Sequence, residues 1–209
     1  VSRLIDITRM LGRDHLVYPG DDAFKLERIR EAGVDKWEQA KITLSDHTGT
    51  HLDAPAHFFA GGKSIEGYAL ERFFVPARVV EIAAEADCIE SEHVRDLPIR
   101  PGDAVLFKTR NSFLPRNEVA ASHVYISSEA AELLVQRKAG LVGIDYLSVD
   151  AADVEGFPVH KLILANDILI LNDVNLCNVA AGHYHLICFP LAICNVSGAP
   201  CRAVLMKQY

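Results

Sequence analysis

The sequence has no long hydrophobic run. Its longest apolar stretches, Leu162–Leu171 and Leu186–Cys194, are broken by Asn166, Asp167 and Pro190. Neither approaches the ~18–20 apolar residues that a membrane-spanning helix needs. The first residues, VSRLIDITRML, lack the layout of a signal peptide. No Lys/Arg run or basic stripe is present and the net charge is -7, so nucleic acid is not an expected partner. The five cysteines include no Cys-x-x-Cys pair. That spacing excludes a zinc ribbon and leaves free thiols, which suit a reducing compartment such as the cytoplasm. No Gly-x-Ser-x-Gly surrounds Ser45, Ser148 or any other serine, so a serine nucleophile has no support. Internal repeats, low-complexity tracts and linkers are also missing.

What is present is an ordinary globular balance. Half of the 209 residues are hydrophobic and 23% are charged, enough for a real core and one domain over residues 1–209. Strand signals dominate the first half. Leu4–Thr8 is short and apolar, and Tyr18-Pro19-Gly20-Asp21 is a turn signal. Phe24–Ile29 and Ala40–Leu44 alternate with period two, as half-buried strands do. Val75–Ile82 reads as a strand with Pro76 near its start, and Ala104–Lys108 as another after the turn Pro101-Gly102-Asp103. Ser91 is placed to cap a short helix through Leu97. Ser127 or Ser128 is placed to cap a clearer one over Glu129–Lys138, closed by Gly140. Leu141–Asp145 reads as a buried strand, His160–Leu164 as a short helix, and Ile168–Leu171, His185–Phe189 and Ala203–Lys207 as strands. The pattern is a strand-rich α/β domain with a mixed sheet.

Nine histidines are scattered through the chain, but three fall in the run His47-Thr-Gly-Thr-His51-Leu-Asp53-Ala-Pro-Ala-His57. Imidazole and carboxylate suit zinc and manganese. Thr48, Gly49 and Thr50 disfavour a helix, so an irregular loop is expected, with Gly49 free to take an unusual backbone angle. Pro55 restricts Ala54 to extended geometry. Asp53 and His51, two residues apart, then project to the same side. A lone histidine would be an ordinary loop residue; three with an aspartate around Gly49 and Pro55 point to a metal.

The run His47 to His57 fits His-x-Gly-Thr-His-x-Asp-x-Pro-x-His, and in this it resembles the cyclase-type metal-dependent hydrolases, the family of bacterial kynurenine formamidase and isatin hydrolase. The turn Tyr18–Asp21, the strand end Gly143-Ile144-Asp145 with Ser148 and Asp150, His160, Phe189-Pro190-Leu191 and Gly198–Ala203 are similar to further family segments. The resemblance implies a swivelling β/β/α fold, a mixed sheet or barrel flanked by a few helices, in homodimers or larger homo-oligomers. It implies that His47, His51 and Asp53 hold a divalent metal, zinc or manganese, and that His57 transfers the proton. It also implies that His160 and a glutamate twelve residues later complete a second position. This chain has Asn172 there, a neutral and weaker donor, so one tightly bound metal is expected. Asp173, adjacent on a strand, would face the other way.

The expected chemistry is hydrolysis of a C–N bond in a small formamide, amide or cyclic amide by a metal-activated water. The alternatives are a lactone or ester hydrolase or a cyclase on the same site, and a non-catalytic metal binder. Trp37 and Phe58-Phe59 are candidates for walls of an aromatic pocket, with core packing the commoner fate of such residues. Asp145 is either a partner for a ligand histidine or a strand end.

Overall fold

The computed structural model describes residues 3–207. In chain order its first strands are β1 (Arg3–Asp6), β2 (Lys25–Arg30), β3 (Gln39–Thr43), β4 (His51–Asp53), β5 (Phe74–Glu81) and β6 (Cys88–Ile89). There follow β7 (Ala104–Lys108), β8 (Tyr125–Ile126), β9 (Leu141–Ile144), β10 (Leu169–Asn172), β11 (Gly182–Ile187), β12 (Gly198–Pro200) and β13 (Val204–Lys207). The α-helices are α1 (Glu92–Arg95), α2 (Ser128–Gln136) and α3 (Pro158–Ala165). No helix among the described residues is long and apolar enough to cross a membrane.

Nine strands form one sheet in the order β1-β13-β11-β5-β7-β9-β10-β4-β12. Its centre, β5-β7-β9-β10, is parallel, and both flanks are antiparallel. The end strands β1 and β12 do not pair with each other, so the sheet is mixed and open. The centre is buried on both faces because its residues alternate between two cores. Ala104 and Leu106 of β7 face one core while Val105 and Phe107 face the other; Leu169 and Leu171 of β10 oppose Ile170 in the same way. Period-two alternation with apolar residues at every position is what a doubly covered strand requires. Truncating such a side chain, Leu171 for example, costs about 2–5 kcal/mol.

Helices α2 and α3 cover the second core with Ala130, Leu134, Val159 and Ile163. Ser127 caps α2 by accepting from the Ala130 N–H at 3.1 Å, as its sequence predicts. Two other helix-end expectations need correction. Ser91 lies in helical geometry itself and makes no side-chain cap, and α1 is a single turn. The left-handed residue after α2 is Lys138 rather than Gly140, whose role is packing: a Cβ there would lie 2.4 Å from the Gly102 carbonyl oxygen.

The pair β2–β3 also departs from expectation. Its strands form a separate two-stranded ribbon in which every residue is exposed, not half-buried. Leu26 lies opposite Ile42 on one face, but nothing among the described residues covers them. Trp37 belongs to this ribbon, 53% exposed, with the Arg30 guanidinium 4.9 Å from its ring centroid. Among the described residues it lines neither the cavity of the histidine cluster nor a hydrophobic core.

Candidate metal centre

Strand β4 is only three residues long, yet it positions the centre. Leu52 is fully buried in the first core, so His51 and Asp53 are forced to the opposite face. Antiparallel pairing sets Asn172 of β10 directly opposite His51, and Gly198 of β12 opposite Asp53. Directly opposed residues share a face, which brings Asn172 to the two ligand candidates.

The loop ahead of β4 is built around Gly49, whose φ of 66° lies in the left-handed region. A Cβ there would stand 2.5 Å from the Leu11 side chain, which would have to shift, and the left-handed backbone would be strained as well. Thr50 ties the loop down by donating to the Asp173 carbonyl at 2.7 Å and accepting the Arg9 N–H at 2.9 Å. Past β4, Ala54 is extended, as Pro55 dictates, and the 3-10 turn Pro55–His57 swings His57 back over the cluster. The His57 ring centre lies 3.9 Å from that of His47.

The donor atoms converge. His47, His51 and Asp53 each offer a ligand atom, all within 4.8 Å of one another. His51 Nδ1 lies 2.7 Å from the Gly49 carbonyl, which can only accept, so Nδ1 carries the proton. In neutral His51 the Nε2 lone pair then faces Asp53 Oδ1 at 3.2 Å. Two lone pairs at that separation repel unless a cation lies between them. His47 is fixed in the same manner. Ser197 Oγ donates to Asp46 at 3.0 Å and accepts from His47 Nε2 at 2.9 Å, leaving Nδ1 for Asp53 Oδ1 at 2.7 Å. The residues therefore fit a divalent cation.

His160 approaches from α3. Its Nδ1 donates to Asp150 at 2.5 Å, and Nε2 stands 3.8 Å from Asp53 Oδ2. Asp150 also accepts the N–H groups of Val159 at 2.8 Å and His160 at 3.1 Å, holding the first turn of α3. Asn172 turns its amide nitrogen to Asp53 Oδ2 at 2.7 Å, while its Oδ1 is buried without a partner. Asp173 has a φ of 54° and points away, into an ion pair with Arg116.

Electrostatics follow from burial and neighbours. Asp53 is held well below the usual carboxylate range: burial opposes this, but His51 and His47 outweigh it. Burial also acts against charge on His47, and the Asp53 bond overcomes it and raises the pKa. His57 is pushed down to about 4, by burial first; Asp53 pulls the other way, against His47, His160 and His51.

These groups open into a cavity of about 350 Å³ walled by Tyr18, Phe58, Leu147 and Phe157. A larger groove of about 880 Å³ adjoins it across Ser45 and Asp46 but carries no histidine. Phe58 is thus a cavity wall, and both Phe58 and Phe59 pack against the second core. Asp145 does not touch a ligand histidine; it accepts from Thr109 and Ser112. The carboxylate that does is Asp150, ten residues from His160. Ser197 and Asp46 behind His47 were equally absent from the sequence reading, since contacts across such distances leave no local pattern.

A mixed α/β sheet with a buried His-His-carboxylate cluster opening into an apolar cavity defines a class, the proteins with a metal centre of the hydrolase type. Comparison with known proteins narrows it. Residues 5–151 match the cyclase family model, described as "Putative cyclase". The kynurenine formamidase of Salinibacter ruber is 36% identical over 204 residues, covering 97% of this chain and 96% of that protein. A solved structure described as a potential metal-dependent hydrolase with cyclase activity superposes with a TM-score of 0.88 at 28% identity, covering 100% of both chains. Isatin hydrolase A from Ralstonia solanacearum gives a TM-score of 0.84 at 26% identity, covering 99% of this chain and 92% of that one. The chain belongs to the cyclase family.

Proposed function

We propose that this protein is a metal-dependent hydrolase of C–N bonds other than peptide bonds, acting on a small formamide, amide or cyclic amide that carries an aromatic ring. One observation carries the reading: the donor atoms of His47, His51 and Asp53 converge beside His57 in a cavity walled by aromatic side chains. The names of its relatives, a kynurenine formamidase and an isatin hydrolase, support the same bond type.

In this reading residues 1–209 form one hydrolase unit, working as a homodimer or larger assembly. The five unpaired thiols suit the cytoplasm. His47, His51 and Asp53 hold one divalent cation, zinc or manganese, and His160 and Asn172 border a weak second position. When bound, the cation supplies an acidified water and a polarised carbonyl. The rest is done by the chain. Ser197 and the Gly49 carbonyl fix the tautomers of His47 and His51, so both present lone pairs to the centre. His57 is neutral near pH 7, the form that accepts the proton of the attacking water. Its low pKa makes the resulting imidazolium quick to pass that proton to the leaving nitrogen. Phe58 and Phe157, packed on each other with ring centres 5.4 Å apart, form one aromatic wall for a planar substrate.

The test is a panel of N-formyl anilines and benzo-fused lactams, with matched lactones, assayed on protein stripped by a chelator and then reloaded with zinc or manganese. Amide turnover restored by metal is the expected result. Turnover of lactones alone would overturn the C–N assignment.

A further inference from the structure

The cavity above the centre has a one-sided charge. Its lining includes the carboxylates of Asp21, Asp46 and Asp53 and, among the described residues, no lysine or arginine. Asp53 is engaged with His47 and His51, and Asp46 accepts from Ser197. Asp21 is different. It closes the turn that begins at Tyr18, its N–H donating to the Tyr18 carbonyl at 3.0 Å. Its side chain is exposed and makes no hydrogen bond or ion pair among the described residues.

A second cavity of about 280 Å³ adjoins the first, sharing Tyr18, Leu147 and Ser148, and its lining also lacks lysine and arginine. Its far wall is His123 stacked on Tyr146, with ring centres 4.5 Å apart. Two cations lie near without lining either cavity: Lys161, whose Nζ is 5.9 Å from the Phe58 ring centroid, and Arg116, which is paired with Asp173. A substrate whose carbonyl sits at the centre shares this cavity with Asp21. An ammonium on the substrate gains a free carboxylate; a carboxylate meets a like charge and finds only neutral hydroxyl donors, such as Tyr18 and Ser148. An α-amino-acid tail would find a charged partner for its ammonium and none for its carboxylate.

We propose that Asp21 sets the charge preference of the site, which takes neutral or cationic aryl amides and disfavours anionic ones. This rests on the hydrolase reading above, and the experiment separates the two. Three formanilides that differ only in a para aminomethyl, methyl or carboxymethyl group are assayed on the metal-loaded protein. The three corresponding benzohydroxamates, which chelate a divalent cation whether or not turnover occurs, are titrated by calorimetry. The aminomethyl compounds should perform at least as well as the methyl ones, and the carboxymethyl compounds roughly tenfold worse. The gap should narrow in about 0.5 M salt, because Asp21 is exposed. Asp21→Asn should bring the cation-to-anion ratio toward one, and Asp21→Lys should reverse it. Carboxymethyl ligands that bind as tightly as aminomethyl ones, or a ratio that Asp21→Lys leaves untouched, would overturn the proposal. A binding order that holds without turnover of any formanilide would sustain it and overturn the hydrolase reading instead.

Discussion

Asn172 donates its side-chain amide to Asp53 Oδ2 at 2.7 Å, and its own carbonyl oxygen is buried without a partner. The amide nitrogen thus occupies the Asp53 oxygen that a second cation between Asp53 and His160 would need. Two divalent ions in one site repel, and anionic ligands must offset that repulsion. Asn172 offers none. Metal titration of the unmodified protein should therefore find one tight equivalent. Asn172→Glu should add a second, because it supplies a charge and removes the competing donor. Two equally tight equivalents before the substitution would refute this account of Asn172.

The ligand set predicts a graded series. His51→Ala and Asp53→Ala each delete a donor atom and should abolish metal retention and activity together. Ser197→Ala keeps every donor but frees the His47 ring, whose Nε2 bonds Ser197 Oγ at 2.9 Å. Losses of roughly 10–100-fold in metal affinity are usual for such supporting partners. Elemental analysis and competition with a chromophoric chelator measure both effects. Full metal content in His51→Ala and Asp53→Ala would sink the assignment.

His57 separates chemistry from binding. Its ring stacks on His47 at 3.9 Å between centres, but it is not one of the three converging donors. His57→Ala should keep the metal and lose turnover by roughly 10²–10⁴-fold, the usual worth of positioned proton transfer. Metal loss in this variant would make His57 a ligand instead. Unchanged turnover with metal in place would exclude both roles.

The parts of this architecture written in local pattern were legible from the sequence. The doubly buried strands β7, β9 and β10, the Ser127 cap and the extended geometry at Ala54 all rest on residues within a few positions of one another. The cluster His47–His57 was legible because its members share one short run and because β4 alternation puts His51 and Asp53 on one face. The strands β4 and β12 were not read as such. Each is three residues long, and their pairing joins positions well over a hundred residues apart. The pair Asp46–Ser197 was hidden for the same reason, while Asp150 and His160, only ten residues apart, meet through an irregular segment that carries no periodic pattern. The exposure of the β2–β3 ribbon ran against its alternation, since periodicity says which residues share a face and not whether anything packs on it.

Asp150 ties stability to the site. Its carboxylate accepts the N–H groups of Val159 and His160 and bonds His160 Nδ1, all from a position with 1% exposure. Burial alone would raise its pKa, but the His160 bond and the two N–H groups lower it below the ordinary 3.8. A carboxyl whose folded pKa lies below its unfolded value stabilises the fold in its ionised form. That contribution is complete above the unfolded value and is lost as pH falls through the folded one. Asp150→Asn keeps the shape and removes the charge, and its NH2 would face either the Val159 N–H or the His160 donors, all of which now donate to the carboxylate. The substitution should cost about 1–3 kcal/mol near neutral pH, the range for a buried charged acceptor. Urea denaturation at pH 7 and again below pH 3.8 tests the sign: the cost should shrink on acidification. A cost independent of pH would mean that Asp150 acts through packing alone, and that the His160 tautomer is set by something else.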